Sequence, residues 1–421
     1  MIRTLLSNSN KTKQIGFIFA VLLCLFIFIS KSAIDIALVI ILLISFADIY
    51  LYNRDIVRNN RYLIYFLVPV AAGLILNVLS AAGIGGSFKF LERFRFLLTI
   101  LPLAVFVTHR KQFKLLYMAT LVSAVISLVY GVLSVEDQFF ERLRGFLIIG
   151  RTADMLMMIV LLNIVILCYA NPERIKKHFR SYGIITLLTA FFIWAMLMTS
   201  IRGAWLGFFF GIAVLALCYR RKLILILIPL ILCLALMVSY TDVKILKKIA
   251  QQAASIIEAN DPDTRISNSL RFHLWTTGLA FSRQHFLFGT GADNTETLFL
   301  DFFASHSDAY QQKYHWAKEH PNEFHNSYLQ ILIENGVIFF MIYIFSIFGL
   351  IYKLLSAEKK AVSEDQQHIV AGIVVSSGFL VSQFFHSDLY SYGSCLYYLI
   401  LYNALFAANK YVNWLPRRIP N

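Results

Sequence analysis

The sequence predicts an all-α integral membrane protein of about 12 transmembrane helices with one large, mainly helical loop on the outer side. Three observations lead there. Of 421 residues, 58% are hydrophobic and only 15% charged, with mean hydropathy +0.67. The apolar residues gather into runs of about 18 or more, the length that crosses a bilayer. The connections between those runs alternate between strongly basic and weakly charged.

The expected spans, in order, are 15–30, 33–52, 62–81, 95–108, 113–133, 153–170, 184–200, 203–219, 223–240, 337–355, 367–385 and 389–407. The first has Arg3, Lys11 and Lys13 ahead of its apolar core, as a signal peptide would. Ser30-Lys31-Ser32 lacks a small-residue cleavage pattern and a second span follows at once, so it is read as a helix. The basic connections are Arg54/Arg58/Arg61, Arg110/Lys111/Lys114, Arg174/Lys176/Lys177/Arg180, Arg220/Arg221/Lys222, Lys353/Lys359/Lys360 and Lys410/Arg417/Arg418. The positive-inside rule puts them, and both termini, in the cytoplasm. The opposite connections, such as Val135-Glu136-Asp137 and His386-Ser387-Asp388, face outward. The net charge of +14 is therefore read as topological anchoring, with no nucleic-acid partner implied. Cys24, Cys168, Cys218, Cys233 and Cys395 lie inside apolar runs and spell neither a disulfide framework nor a zinc knuckle.

The chain divides into a first set of spans (1–240), a long outward connection (241–336) and a last set of spans with a short cytoplasmic tail (337–421). Within the connection, 243–259 has an apolar face and a Lys/Gln face, the pattern of a helix lying flat at the interface. Asp261-Pro262-Asp263 is read as the turn that ends it, although it mimics an Asp-x-Asp metal motif.

Six of the ten histidines fall in this connection. His315, His320 and His325 are spaced by five, share no helical face and are interrupted by Pro321, so no metal site is read from them. After His325, Leu329, Leu332, Ile333 and Gly336 form one stripe, and Asn326, Gln330 and Glu334 another. This is a short amphipathic helix feeding the next span, with His325 at its N-terminal edge. A helix N-terminus disfavours imidazolium; a bound anion acts in the opposite sense. Arg202, in a near-loopless turn between two spans, offers a charged fork to phosphate oxygens, or simply snorkels to headgroups. Gly203 and Gly207 behind it permit close backbone approach. Arg271 is expected to open a helix capped by Ser267, Asn268 or Ser269, sharing a face with Trp275 and Leu279 and ending near Gly289-Thr290-Gly291. Lys89, Arg93 and Arg95 break the positive-inside pattern and present outward charge to anionic lipid or phosphate. Asp35, Asp48 and Asp154 lie near span ends, and no chain of carboxylates crosses the membrane.

Together these features resemble the O-antigen ligase family: a long outer loop before the last three spans, an Arg-Gly turn, an Arg…Trp…Gly-x-Gly segment and a closing histidine. The family's closing motif is His-[Asn/Ser/Gln]-x9-Gly-x-x-[Gly/Thr/Tyr]. His325-Asn326 followed after nine residues by Gly336 matches it; Phe339 at the last position departs, as does His285 where related sequences often have proline. The resemblance implies an inverting glycosyltransferase of the bacterial inner membrane. Its donor is a glycan on undecaprenyl diphosphate, and its acceptor is a sugar hydroxyl of lipid A–core at the periplasmic face. Neither metal nor nucleotide cofactor is implied. On this resemblance His325 activates the acceptor hydroxyl, Arg202 and Arg271 hold the diphosphate, and Asn326, Gly336 and Arg95 support the site. The alternatives are an O-antigen polymerase, which extends a lipid-linked repeat unit, and a transporter or flippase. The latter calls for inverted repeats and midplane charges, neither of which is evident.

Overall fold

The computed structural model describes residues 9–134, 145–199, 201–219, 262–292, 294–313, 324–386, 389, 391–412 and 414. The described residues are helical, with no strands. The helices are α1 (Ser9–Phe26), α2 (Lys31–Leu51), α3 (Ile64–Val78), α4 (Gly83–Phe94), α5 (Ile100–Phe106), α6 (Arg110–Leu133), α7 (Ile149–Cys168), α8 (Phe179–Met198) and α9 (Arg202–Tyr219). After the long connection come α10 (Pro262–Ser282), α11 (Thr295–Ala304), α12 (Ser327–Glu358), α13 (Ser363–Ser382) and α14 (Ser394–Ala408).

Seven of these segments are long and apolar enough to cross a membrane: Lys31–Leu51, Arg61–Val78, Arg110–Leu133, Ile149–Cys168, Phe179–Met198, Arg202–Tyr219 and Ser327–Glu358. The expected spans at 15–30, 367–385 and 389–407 are occupied by α1, α13 and α14. The expected span 95–108 is different. It is a 3-10 turn, Arg95–Thr99, running into the seven-residue α5, and every residue of α5 is buried. A helix apolar all round and buried all round is surrounded by protein, which explains why so short a segment carried a span-like signal. The expected span 223–240 and the interfacial helix 243–259 lie outside the described residues.

Helix α13 is the hub of the bundle, packing on α7, α9, α12 and α14. Its approach to α9 is close because glycines face each other: a Cβ on Gly378 would lie 2.7 Å from the Gly207 carbonyl oxygen. At one end of the bundle Arg110 pairs with Glu364 (3.0 Å) and Asp365, Arg174 pairs with Glu364, and Lys410 pairs with Asp365 (3.3 Å). Three of the connections grouped by their basic charge therefore meet at one end of the molecule.

The described part of the long connection has a core of its own. Leu274 and Phe281 of α10, Phe299, Phe302 and Phe303 of α11, and Phe324, Leu329 and Ile333 pack together, separate from the main core. The described residues of α10 run from Pro262 to Ser282. Arg271 is thus mid-helix, and residues 267–269 lie within the helix and do not cap it.

Candidate active site

The segment before α12 is shaped by two unusual residues. His325 has φ 48°, the one non-glycine residue with positive φ among those described. Such backbone strain persists only where surroundings over-determine it. Here they do. Trp275 Nε1 donates to the Phe324 carbonyl (3.0 Å), and the Phe324 N–H donates to Gln330 Oε1 (3.2 Å). On the other side Asn326 caps α12, its Oδ1 accepting from Tyr328 N (3.0 Å) and Leu329 N (3.1 Å). Asn326 thus has a helix-capping role, which a polar stripe alone does not reveal.

The other members of that stripe are not solvent-facing. Gln330 and Glu334 are buried, Glu334 completely. Gln330 donates to Glu334, and Arg93 pairs with the same carboxylate. The segment is continuous with the span after it, bent where Gly336 adopts φ 74°. The bend admits the Gly289-Thr290-Gly291 loop: Thr290 N donates to Ile333 O, Gly291 N to Glu334 O (both 2.9 Å) and Val337 N to Phe286 O (2.8 Å). A side chain on Gly289 would strike the Glu334 carbonyl, and one on Gly336 the Leu287 carbonyl. The two glycine motifs, far apart in sequence, are therefore halves of one backbone joint. Phe339 packs among Phe90, Phe94 and Tyr343. His285, edge-on to Phe281, has its pKa lowered by burial.

The outward basic residues are also paired. Lys89 bridges Glu92 (3.0 Å), Arg93 pairs with Glu334, and Arg95 pairs with Asp35 (2.7 Å) while lying 4.5 Å from the Phe96 ring centre. These cations, expected to present charge outward, are instead half-buried and compensated: α4 folds back along α3, and its Phe90, Arg93 and Phe94 meet Phe339, Glu334 and Tyr343 of α12.

The structure connects the elements bearing Arg202, Arg271 and His325 through residues that the sequence reading left without a role. The turn before α9 is braced by Thr199 Oγ1 donating to Met196 O (2.6 Å), which sets Arg202 at the first position of α9. A Cβ on the next residue, Gly203, would lie 2.9 Å from Phe385 Cβ and 3.0 Å from His386 Nε2. His386 Nδ1 donates to Asp154 Oδ2 (2.9 Å), and Gln383 Nε2 donates to the same oxygen (3.1 Å). Asp154 is 1% exposed, and its Oδ1 has no hydrogen-bond partner among the described residues. Ser327, two positions after His325, has its Oγ 2.9 Å from both Gln383 Oε1 and His386 O, which share its single hydroxyl proton; its N–H donates to His386 O (2.8 Å). Trp275, one helical turn beyond Arg271, packs its ring 6.4 Å from that of Phe385. Residues 383–386 therefore touch all three elements.

The same end of the bundle holds the N-termini of α7, α9 and α12 and a further arginine, Arg151, whose guanidinium lies 4.8 Å from the Tyr392 ring centre. Three positive helix ends and several guanidinium groups suit a bound anion. Sequence reasoning missed Arg151, Gln383 and the Asp154–His386 pair. A usable signal was present in Asp154, an ionisable residue within an apolar run, which marks function or a buried partner. Among the described residues no three His, Cys, Asp or Glu side chains gather as metal ligands would; His315 and His320 lie outside them.

Residues 185–344 match the family model described as O-Antigen ligase. This stretch, under half of the chain, is a domain similar to the O-antigen ligase family. The domain runs from within α8 to within α12, so it holds Arg202, Arg271, His325 and both halves of the glycine joint, while Asp154, Gln383 and His386 lie outside it. No curated protein matches the chain.

Proposed function

We propose that this chain is an O-antigen ligase. It transfers a glycan from undecaprenyl diphosphate to a sugar hydroxyl of lipid A–core on the periplasmic face of the bacterial inner membrane. The observation that carries the reading is the meeting of the Arg202, Arg271 and His325 elements on residues 383–386, at the end of the bundle where three helices begin.

In the reaction the acceptor hydroxyl oxygen attacks the anomeric carbon of the donor sugar. Its proton passes to the His325 imidazole, and the bond from that carbon to phosphate oxygen breaks. The electron pair leaves on undecaprenyl diphosphate. Arg202 and Arg271 take up the charge that grows there, a task in which fixed donors in a partly dry site do more than water. Attack opposite the leaving group inverts the anomeric centre. The backbone strain at His325 is the cost of holding this residue at the entrance to α12. Asp154 and His386 act as positioning residues: His386 sits between the carboxylate and Gly203, and so sets where Arg202 stands.

The test is transfer by the purified protein in detergent, given a lipid-linked glycan together with either lipid A–core or a second lipid-linked unit. Extension of lipid A–core is the expected result. Extension of the lipid-linked unit alone would make the chain a polymerase, and transfer to neither would overturn the proposal.

A further inference from the structure

At the end of the bundle opposite the candidate active site, a cavity of about 660 Å3 opens between α6 and α8. That volume is in the range of small-molecule sites. Helix α6 packs chiefly on α1 and α8 on α7, so the two stand apart as walls, with α7, α13 and α14 behind them. The walls and floor are apolar: Phe113, Val125, Leu162, Ile185, Leu188 and Ala371 line them. The lining on α6 runs from Arg110 to Ile126, about 24 Å of helix at 1.5 Å per residue. Half of a hydrocarbon core about 30 Å thick is shorter than that, so an extended chain fits along the groove.

Apart from Tyr117, whose hydroxyl donates to Asn163 Oδ1 (2.6 Å), the polar groups gather at one end. Arg110, Lys114, Ser181, Gln367, His368 and Asn403 line the cavity there, with the His368 and Asn403 side chains 3.2 Å apart. The carboxylates nearby are already compensated, Glu364 by Arg110 and Arg174, and Asp365 by Arg110 and Lys410. Lys114 is exposed and has no partner among the described residues, and exposed Arg180 precedes the lining Ser181. The mouth thus carries positive charge in excess of its carboxylates, next to an apolar groove. Such a combination takes an anionic head and a hydrocarbon tail.

We propose that this groove is a binding site for an anionic glycerophospholipid, with an acyl chain between α6 and α8 and the phosphate at Lys114 and Arg110. The site is separate from the transferase reading and stands or falls independently of it. The probe is phosphatidylglycerol, compared with phosphatidylcholine of the same chains, and retention on the detergent-purified protein is read by native mass spectrometry. Phosphatidylglycerol should be retained preferentially as a single copy. Lys114→Glu, on an exposed side chain, should lower retention at least fivefold, and Val122→Trp, which places an indole in the groove, should do the same. Equal retention of the two lipids would reduce the site to ordinary lipid contact and overturn the proposal. Unchanged phosphatidylglycerol retention in either variant would also overturn it.

Discussion

At the scale of single residues, the candidate site rests on side chains whose surroundings differ sharply. His325 is held in a left-handed conformation by bonds on both flanks, whereas Asp154 is buried with one carboxylate oxygen accepting twice and the other unmatched among the described residues. Burying an incompletely bonded carboxylate costs free energy, and positions that retain such a cost commonly serve a function. His325→Ala, Arg202→Ala and Arg271→Ala should each abolish transfer while leaving the protein in the membrane, checked by surface polysaccharide ladders and membrane fractionation. Normal ladders from all three would remove the site assignment. Asp154→Asn keeps the shape but loses the charge that orients His386, and should lower kcat/KM on the order of a hundredfold, the effect of a small misplacement. If the pair acts through Arg202, the Asp154→Asn effect should shrink in an Arg202→Lys background, which keeps a cation at the position but loses the planar fork that His386 places. Additive losses in that double-mutant cycle would assign Asp154 to general stability instead.

The joint between α12 and the Gly289-Thr290-Gly291 loop decides behaviour at the scale of elements. Gly336 makes the bend and offers no Cβ to the Leu287 carbonyl, so the histidine-to-glycine spacing of the family motif has a mechanical meaning. It fixes the turns of helix between the strained His325 and the point where the loop docks. Gly336→Ala should lower stability by about 1–3 kcal/mol through backbone strain alone, seen as a reduced Tm in detergent. Near the joint, burial lowers the His285 pKa from 6.5. The folded state then binds fewer protons than the unfolded chain just below that value, so this contribution is present above pH 6.5 and is lost as pH falls from there through the lowered folded value. Tm should therefore decline more steeply on acidification in the native protein than in His285→Gln; parallel curves would contradict this.

For the whole molecule, Arg110, Arg174, Glu364, Asp365 and Lys410 gather at one end, and Arg151, Asp154, Arg202, Ser327 and His386 gather at the other. If the first end is cytoplasmic, a single cysteine at exposed Ser305 should react with a membrane-impermeant thiol reagent in cells with a permeabilised outer membrane. One at exposed Glu173 should react only after the inner membrane is opened. The reverse pattern would invert the topology.

Hydropathy alone was enough to read most spans, because crossing a membrane is a property of composition over about 20 residues. It misread 95–108 since interior protein and lipid are both apolar, and only burial distinguishes them. The Arg-Gly turn, the Gly-x-Gly pair and the histidine motif were also legible, because each is local in sequence. Their assembly was not. Asp154 and His386 are 232 residues apart, and Asn77 donates to Asn335 across 258 residues. Hydrogen bonds of that separation leave no periodic trace, and a lone carboxylate near a span end looks the same whether it meets water or a buried imidazole. By itself the sequence determined a multi-helix membrane chain and the local motifs of its family domain, since both depend on neighbours along the chain. Tertiary structure decided which charges are compensated, why Gly336 must be glycine and which side chains share an end of the bundle, because those depend on contacts made only after the helices pack.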